Sequence, residues 1–352
     1  MPVKILFIVG AGASSEANLP TGDKLKYMIA DFLDMQFDDM DSQISGDRLI
    51  TEALRLYVKK KDKFSEGMNG QLINACCRIR DAMPQALSID NFIDTHSDDK
   101  EIELCGKLAI VRSVLAAEQK SLLYVNNRTS EINKINYRSL DETWYSSFMK
   151  LLTDSCKKED LIKRLESIAL IVFNYDRCIE HFLYNSLQNY YGIQPEEAGK
   201  LVNGIKIYHP YGVVGRLPWQ GGTSIEFGEK PQPSLLLELA GQIKTFTEGT
   251  DPSSSEINAI HDSVFEAATI VFLGFAFHKL NMELMSTSTR LPDTAVTTVY
   301  FGTAQGISSS DCSIIKSDLN KFKFSNHEEI HIDVYLDCAR LFKEYWRRLS
   351  LN

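Results

Sequence analysis

The chain contains no Cys-X-X-Cys pair. Its seven cysteines, at positions 76, 77, 105, 156, 178, 312 and 338, are odd in number and carry no metal-ligand spacing. That excludes a zinc ribbon, argues against a disulfide framework and suits reduced thiols in a cell interior. Long apolar runs are also missing: none approaches the roughly 20 residues that span a bilayer, and the segment 1–9 is too short for a secretory signal. The expected location is therefore cytoplasmic, without a membrane partner. Positive charge is in deficit, with 38 Lys and Arg against 47 Asp and Glu for a net charge of −9, which disfavours nucleic acid across the general surface. No internal repeat or low-complexity tract interrupts the chain.

What is present is the composition of a globular protein. The 352 residues are 44% hydrophobic and 24% charged, enough for one large or two ordinary domains with a sizeable core. The apolar run Ile5-Leu6-Phe7-Ile8-Val9 leads directly into Gly10-Ala11-Gly12-Ala13-Ser14. This pattern predicts a strand entering a phosphate-binding turn, where backbone N–H groups converge and small residues let a pyrophosphate approach the main chain. A plain strand-to-helix turn would leave the same pattern.

After Leu19-Pro20-Thr21-Gly22 a helix starts at Asp23, and up to Ser167 apolar residues recur at helical spacing with few strand signals. Residues 38–47 and 126–136 read as loops, and the basic run 59–63 as a solvated helix end. The acids in Ser88-Ile89-Asp90-Asn91-Phe92-Ile93-Asp94 read as helix caps. The continuous apolar run 168–173 then suits a strand buried on both faces. Further strand candidates follow at 205–208, 268–273 and 297–301, with a possible edge strand at 330–336 and helices near 177–191, 234–244 and up to 348. The fold expected from this alternation is α/β, a doubly wound, mostly parallel Rossmann-like sheet with a large helical insertion. Its divisions are 1–22 with 167–352 for the sheet domain and 23–166 for the insertion.

Several of these strand ends carry compact polar or glycine signals: Gly10 and Gly12, Asn174 and Asp176, His209, and Gly274. In a doubly wound sheet such ends converge on one crevice, where a dinucleotide binds. Each residue also has a plainer explanation, since Asn174 and Asp176 can cap the following helix and His209 can serve the backbone of a turn.

The ordered motifs Gly10-Ala11-Gly12-Ala13-Ser14, Leu19-Pro20-Thr21-Gly22, Phe173-Asn174-Tyr175-Asp176, residues 209–212, Leu273-Gly274-Phe275-Ala276 and Asn281 resemble those of sirtuin-like NAD-consuming domains. They are most similar to the bacterial members that hydrolyse NAD in defence against phage. The resemblance spans residues 3–22 and 167–304 and skips the insertion. It implies that Gly10, Ala11, Gly12 and Ser14 hold the pyrophosphate, with Gly274 and Phe275 also binding the nucleotide. It implies that Asn174 orders the nicotinamide ribose and a water, that Asp176 lies near the carboxamide, and that His209 acts on a ribose hydroxyl. The deacylase branch carries a Gly-Ile-Pro-Asp-Phe-Arg loop and a four-cysteine zinc ribbon, and neither is in this chain. The expected activity is hydrolysis of NAD+, as substrate and without metal, to nicotinamide and ADP-ribose. A homo-oligomer and a partner ATPase or other defence protein are expected by analogy. The alternatives are a deacylase or ADP-ribosyltransferase, or a non-catalytic module that senses NAD or ADP-ribose. The insertion, anchored on both sides of the crevice, is expected to cover part of its nicotinamide end.

Overall fold

The computed structural model describes residues 3–40, 42–62, 70–126, 134–244, 255–286, 298–322 and 329–351. Its centre is a parallel sheet of β1 (Ile5–Val9), β4 (Ile168–Val172), β5 (Lys206–Tyr208), β6 (Thr269–Leu273), β7 (Val299–Thr303) and β8 (Glu329–Asp333), in the spatial order β5-β4-β1-β6-β7-β8. Counted within the sheet this is the order 3-2-1-4-5-6 of dinucleotide-binding folds, and the direction of winding reverses between β1 and β6. β1 is flanked on both sides, with Val9 level with Val172 and Leu273, so the exits of three strands lie side by side.

The unbroken apolar runs in β1 and β4 follow from this placement, because both faces of the central strands are covered. Ile5, Phe7 and Val9 enter one core with Leu170, Val271 and Phe301, while Leu6 and Ile8 enter another with Ile171, Phe272 and Tyr300. The first core is closed by the helices Trp144–Thr153, Cys178–Tyr191 and Cys338–Glu344. There the Phe148 ring meets Phe7 edge-on at 5.2 Å. The helix Trp144–Thr153 therefore belongs to the layer on the sheet, although it lies within the stretch 23–166.

Leu123, Ile135, Leu140, Leu161 and Leu165 also join the first core, while a third core holds the insertion together from Ile29 to Leu115. The helix Lys100–Lys120 lies at its middle and buries Ile102, Leu108, Ile110, Val111 and Leu115 around its circumference, as expected for a helix enclosed on all sides. Arg48–Lys61 and Gly70–Ala82 pack around it, joined by Leu236 and Leu239 of Pro233–Ala240, a helix from the sheet segment of the chain. Two distant stretches of sequence thus build one helical layer.

Residues 38–47 depart from the expected loop, for β2 (Gln36–Phe37) and β3 (Gln43–Ser45) form a short antiparallel pair. The Asp38 carboxylate accepts the backbone N–H groups of Met40 and Ser42, a local turn that lets so polar a stretch pair. Of the second expected loop, residues 127–133 lie outside the described residues.

The insertion is fastened to the sheet by one buried ion pair. Arg177, immediately after Asp176, offers Nε to Glu118 Oε1 at 3.1 Å and Nη2 to Oε2 at 2.5 Å, with both side chains almost fully buried. The same guanidinium donates to the carbonyls of Arg216, Ile225 and Glu226, and the Gly228 N–H donates to Glu118.

Candidate active site

The carboxyl ends of all six strands open into one cleft of about 840 Å3, in the upper part of the roughly 300–1,000 Å3 range of small-molecule and cofactor sites. Its lining includes Gly10, Ala11 and Gly12 after β1, Phe173 to Asp176 after β4, Tyr211 after β5, Gly274 and Phe275 after β6, Ala304 after β7 and Leu336 after β8.

The glycines at the floor have a more local reason than a ligand. Gly12 N–H donates to Gly274 O at 3.0 Å and Gly10 N–H to Leu273 O at 2.9 Å, which locks the β1 turn against the β6 exit. A Cβ on Gly12 would lie 2.8 Å from the Gly274 Cα, and one on Gly10 would lie 2.5 Å from its carbonyl oxygen. Gly274 itself has φ +54°, a left-handed conformation that glycine adopts without strain. The close approach is thus between two backbones at the reversal point of the sheet, and the Gly12 N–H is already occupied. Gly12→Val is accordingly expected to destabilise the fold by about 2 kcal/mol or more. Gly22→Ala, at a position with open space, is expected to stay within about 0.5 kcal/mol of wild type. Chemical denaturation of both variants checks this.

Asn174 and Asp176 meet Ser14 in a buried chain of hydrogen bonds. The Asn174 amide donates from Nδ2 to Ser14 Oγ at 3.0 Å, and the Ser14 hydroxyl donates to Asp176 Oδ2 at 2.8 Å. Asp176 Oδ1 accepts the Cys178 N–H at the start of the helix Cys178–Tyr191, so the capping role holds for this residue alongside its place in the cleft wall. Ser14 lies behind that wall. Among the described residues no donor reaches Asn174 Oδ1, and Asn174 lines the cleft.

His209 is placed differently from the role expected of it. It is absent from the cleft lining, and its side chain is only 11% exposed. Nδ1 lies 3.3 Å from the Asn174 carbonyl oxygen and Nε2 lies 2.7 Å from Glu180 Oε1. The carbonyl and, once ionised, the carboxylate only accept hydrogen bonds, so the ring satisfies both by carrying two N–H groups. Burial by itself pushes His209 down and Glu180 up, but their mutual attraction outweighs it: His209 sits above its ordinary 6.5 and Glu180 below its ordinary 4.5. Held between these two acceptors and outside the cleft lining, the ring is placed to fix the backbone under Asn174.

The stability consequence has a definite sign. The raised histidine contributes fully below its ordinary 6.5 and loses its contribution as pH rises through the folded value. The lowered carboxyl contributes fully above its ordinary 4.5 and loses its contribution as pH falls through the folded value. The stability gap between wild type and Glu180→Gln is expected to be widest between about pH 4.5 and 6.5 and to narrow on either side, measured as denaturation midpoints across pH. A gap independent of pH would contradict the ion pair.

No family model and no curated protein matches the chain. One wall of the cleft comes from the insertion through Leu87, Ser88, Asp90, Asn91 and Asp94. The Ser88 hydroxyl accepts the Asn91 N–H and so caps the helix Ile89–Thr95 as its sequence predicts. Asp90, however, is turned into the cleft, where the Tyr175 hydroxyl donates to its carboxylate. Burial pushes its carboxyl above the ordinary 3.8, against the pull of that hydrogen bond. The reading of these acids as caps missed this contact. The available signal was redundancy, since Ser88 already supplies the cap and residues 90 and 94 share one helical face.

Asp90, Asp94 and Asp176 gather beside the β4 and β5 exits, Ala304, Gln305, Gly306 and Ile307 follow β7, and Asp23 and Asp337 add further acids to the lining. Lys279 is the sole Lys or Arg among the lining residues. Glu16 also reaches the cleft, with its two oxygens taken by the N–H groups of Trp144 and Ala339 at the starts of two helices. Among the described residues no group of three His, Cys, Asp or Glu is arranged to hold a metal ion. Nor is any helix of these residues long and apolar enough to cross a membrane.

Proposed function

We propose that this cleft binds NAD+ and hydrolyses its nicotinamide–ribose bond, releasing nicotinamide and ADP-ribose. The observation that carries the reading is Asn174, which lines the cleft at the end of β4: its Nδ2 is held by Ser14 and its backbone carbonyl by His209, and its Oδ1 receives no donor among the described residues. The 3-2-1-4-5-6 strand order supports a dinucleotide across the β1 and β6 exits, with the adenosine towards Ala304 and Ile307 and the nicotinamide towards Asp90, Asp94 and Asp176.

The chemistry needs little from the protein beyond placement and charge. The bond's electron pair returns to the ring nitrogen, so a cationic ring leaves as neutral nicotinamide and positive charge develops on the ribose. Carboxylates fixed at this end stabilise that charge without reorganising. Asn174 Oδ1 accepts from the attacking water or a ribose hydroxyl and sets its line of approach. The water's oxygen bonds to the anomeric carbon, and its proton passes to a carboxylate of this end or to solvent. The wall from the insertion favours a small acceptor such as water over an acyl-lysine peptide. The resemblance to phage-defence hydrolases adds NAD+ depletion as the purpose, with a homo-oligomer or a partner ATPase as the means of restraint. Incubation with NAD+ alone tests the activity: a hydrolase releases nicotinamide without an acceptor, whereas a transferase or deacylase needs one and a sensing module releases none.

A further inference from the structure

Asp90 and Asp94 stand one helical turn apart on Ile89–Thr95, facing aromatic rings that rise from three strand exits. Tyr175 and Tyr211 lie 6.5 Å apart at 45°, Phe173 meets Tyr211 at 5.9 Å, and Phe173 meets Phe275 at 5.2 Å. The phenols are held in place: Tyr175 donates to Asp90 and Tyr211 donates to Asn281 Oδ1. Burial, with the negative charge of Asp90 and Asp94 added to it, pushes the Tyr211 phenol well above its ordinary value, the sign expected where the local potential is negative. The cation of the lining is Lys279, on the helix Lys279–Met285, whose exposed ammonium lies 3.6 Å from Glu283 Oε1. Ring faces and carboxylates together attract flat cations, and a neutral ring of the same outline gains only the stacking.

Resting on the NAD+ reading above, we propose that Asp90 and Asp94, brought over Tyr175 and Tyr211 by the insertion, form a subsite that selects the cationic pyridinium ring of oxidised dinucleotide over the neutral ring of reduced dinucleotide. The insertion then sets specificity as well as walling the cleft. Reduced and oxidised forms share the adenosine, both riboses and the pyrophosphate, so only the charge and flatness of the nicotinamide ring separate them. The ADP-ribose portion is bound by other strand exits and does not feel the two carboxylates directly.

Calorimetric titration with carba-NAD+, NADH and ADP-ribose tests this, the first being a cationic analogue whose ring bond resists hydrolysis. Wild type is expected to bind carba-NAD+ about tenfold or more tightly than NADH. Asp90→Asn, which keeps an acceptor for the Tyr175 hydroxyl, is expected to remove most of that preference with ADP-ribose affinity unchanged, and Asp94→Asn part of it. Equal affinity of wild type for carba-NAD+ and NADH overturns the proposal and leaves the dinucleotide reading standing. So does a preference that survives both substitutions. Failure of all three ligands to bind wild type overturns the dinucleotide reading and the subsite with it.

Discussion

Asn174→Ala is expected to lower NAD+ cleavage by about a hundredfold to a thousandfold with the fold intact, the loss typical of removing one group that orients a reactant or stabilises developing charge. The side chain lies at a strand exit in the cleft lining, with its amide bonded to Ser14 and outside the apolar cores, so its removal opens no cavity in them. The Ser14 hydroxyl keeps Asp176 as its acceptor, which preserves the start of the helix Cys178–Tyr191. Nicotinamide release and circular dichroism on the same preparation separate catalysis from folding. Turnover near that of wild type would remove Asn174 from the chemistry. His209→Ala is expected to act by loosening the Asn174 backbone, so that its loss accompanies a change in stability.

Glu118→Ala is expected to cost about 3–5 kcal/mol of stability, because it leaves the Arg177 guanidinium buried without its counter-charge. Arg177→Met removes more than an ion pair. It strips the donors from the carbonyls of Arg216, Ile225 and Glu226 and leaves Glu118 with only the Gly228 N–H among these partners. Its loss is expected to be at least as large. Denaturant midpoints measure both, and a change below about 1 kcal/mol in either would show that the clamp is dispensable.

The centre of the sheet was legible because β1, β4 and β6 are buried on both faces and therefore appear as unbroken apolar runs, each followed by a glycine or polar signal. The partly exposed β5 and β8 are instead interrupted by Lys206 and by Glu329 and His331. Residues 168–173 and 268–273 placed β4 and β6 to within a residue or two. Convergence of Gly10, Gly12, Asn174, Asp176 and Gly274 followed from winding alone. What sequence could not supply was the direction of side chains. His209 follows the β5 strand as expected, yet a carboxylate 29 residues earlier, Glu180, draws its ring away from the cleft. Asp90 looks like a capping acid until Tyr175, 85 residues later, is seen to hold it in the cleft wall. The layer membership of Trp144–Thr153 and Pro233–Ala240 was equally hidden, since period shows that a helix has an apolar face but not which core receives it.

The most direct measurement of the central claim is a time course of purified protein with NAD+ and no other substrate, following NAD+, nicotinamide and ADP-ribose by chromatography. Nicotinamide and ADP-ribose are expected to appear in equal amounts as NAD+ disappears, and Asn174→Ala to slow both together. NAD+ that binds but remains whole, or nicotinamide released only when a peptide acceptor is added, would contradict that claim.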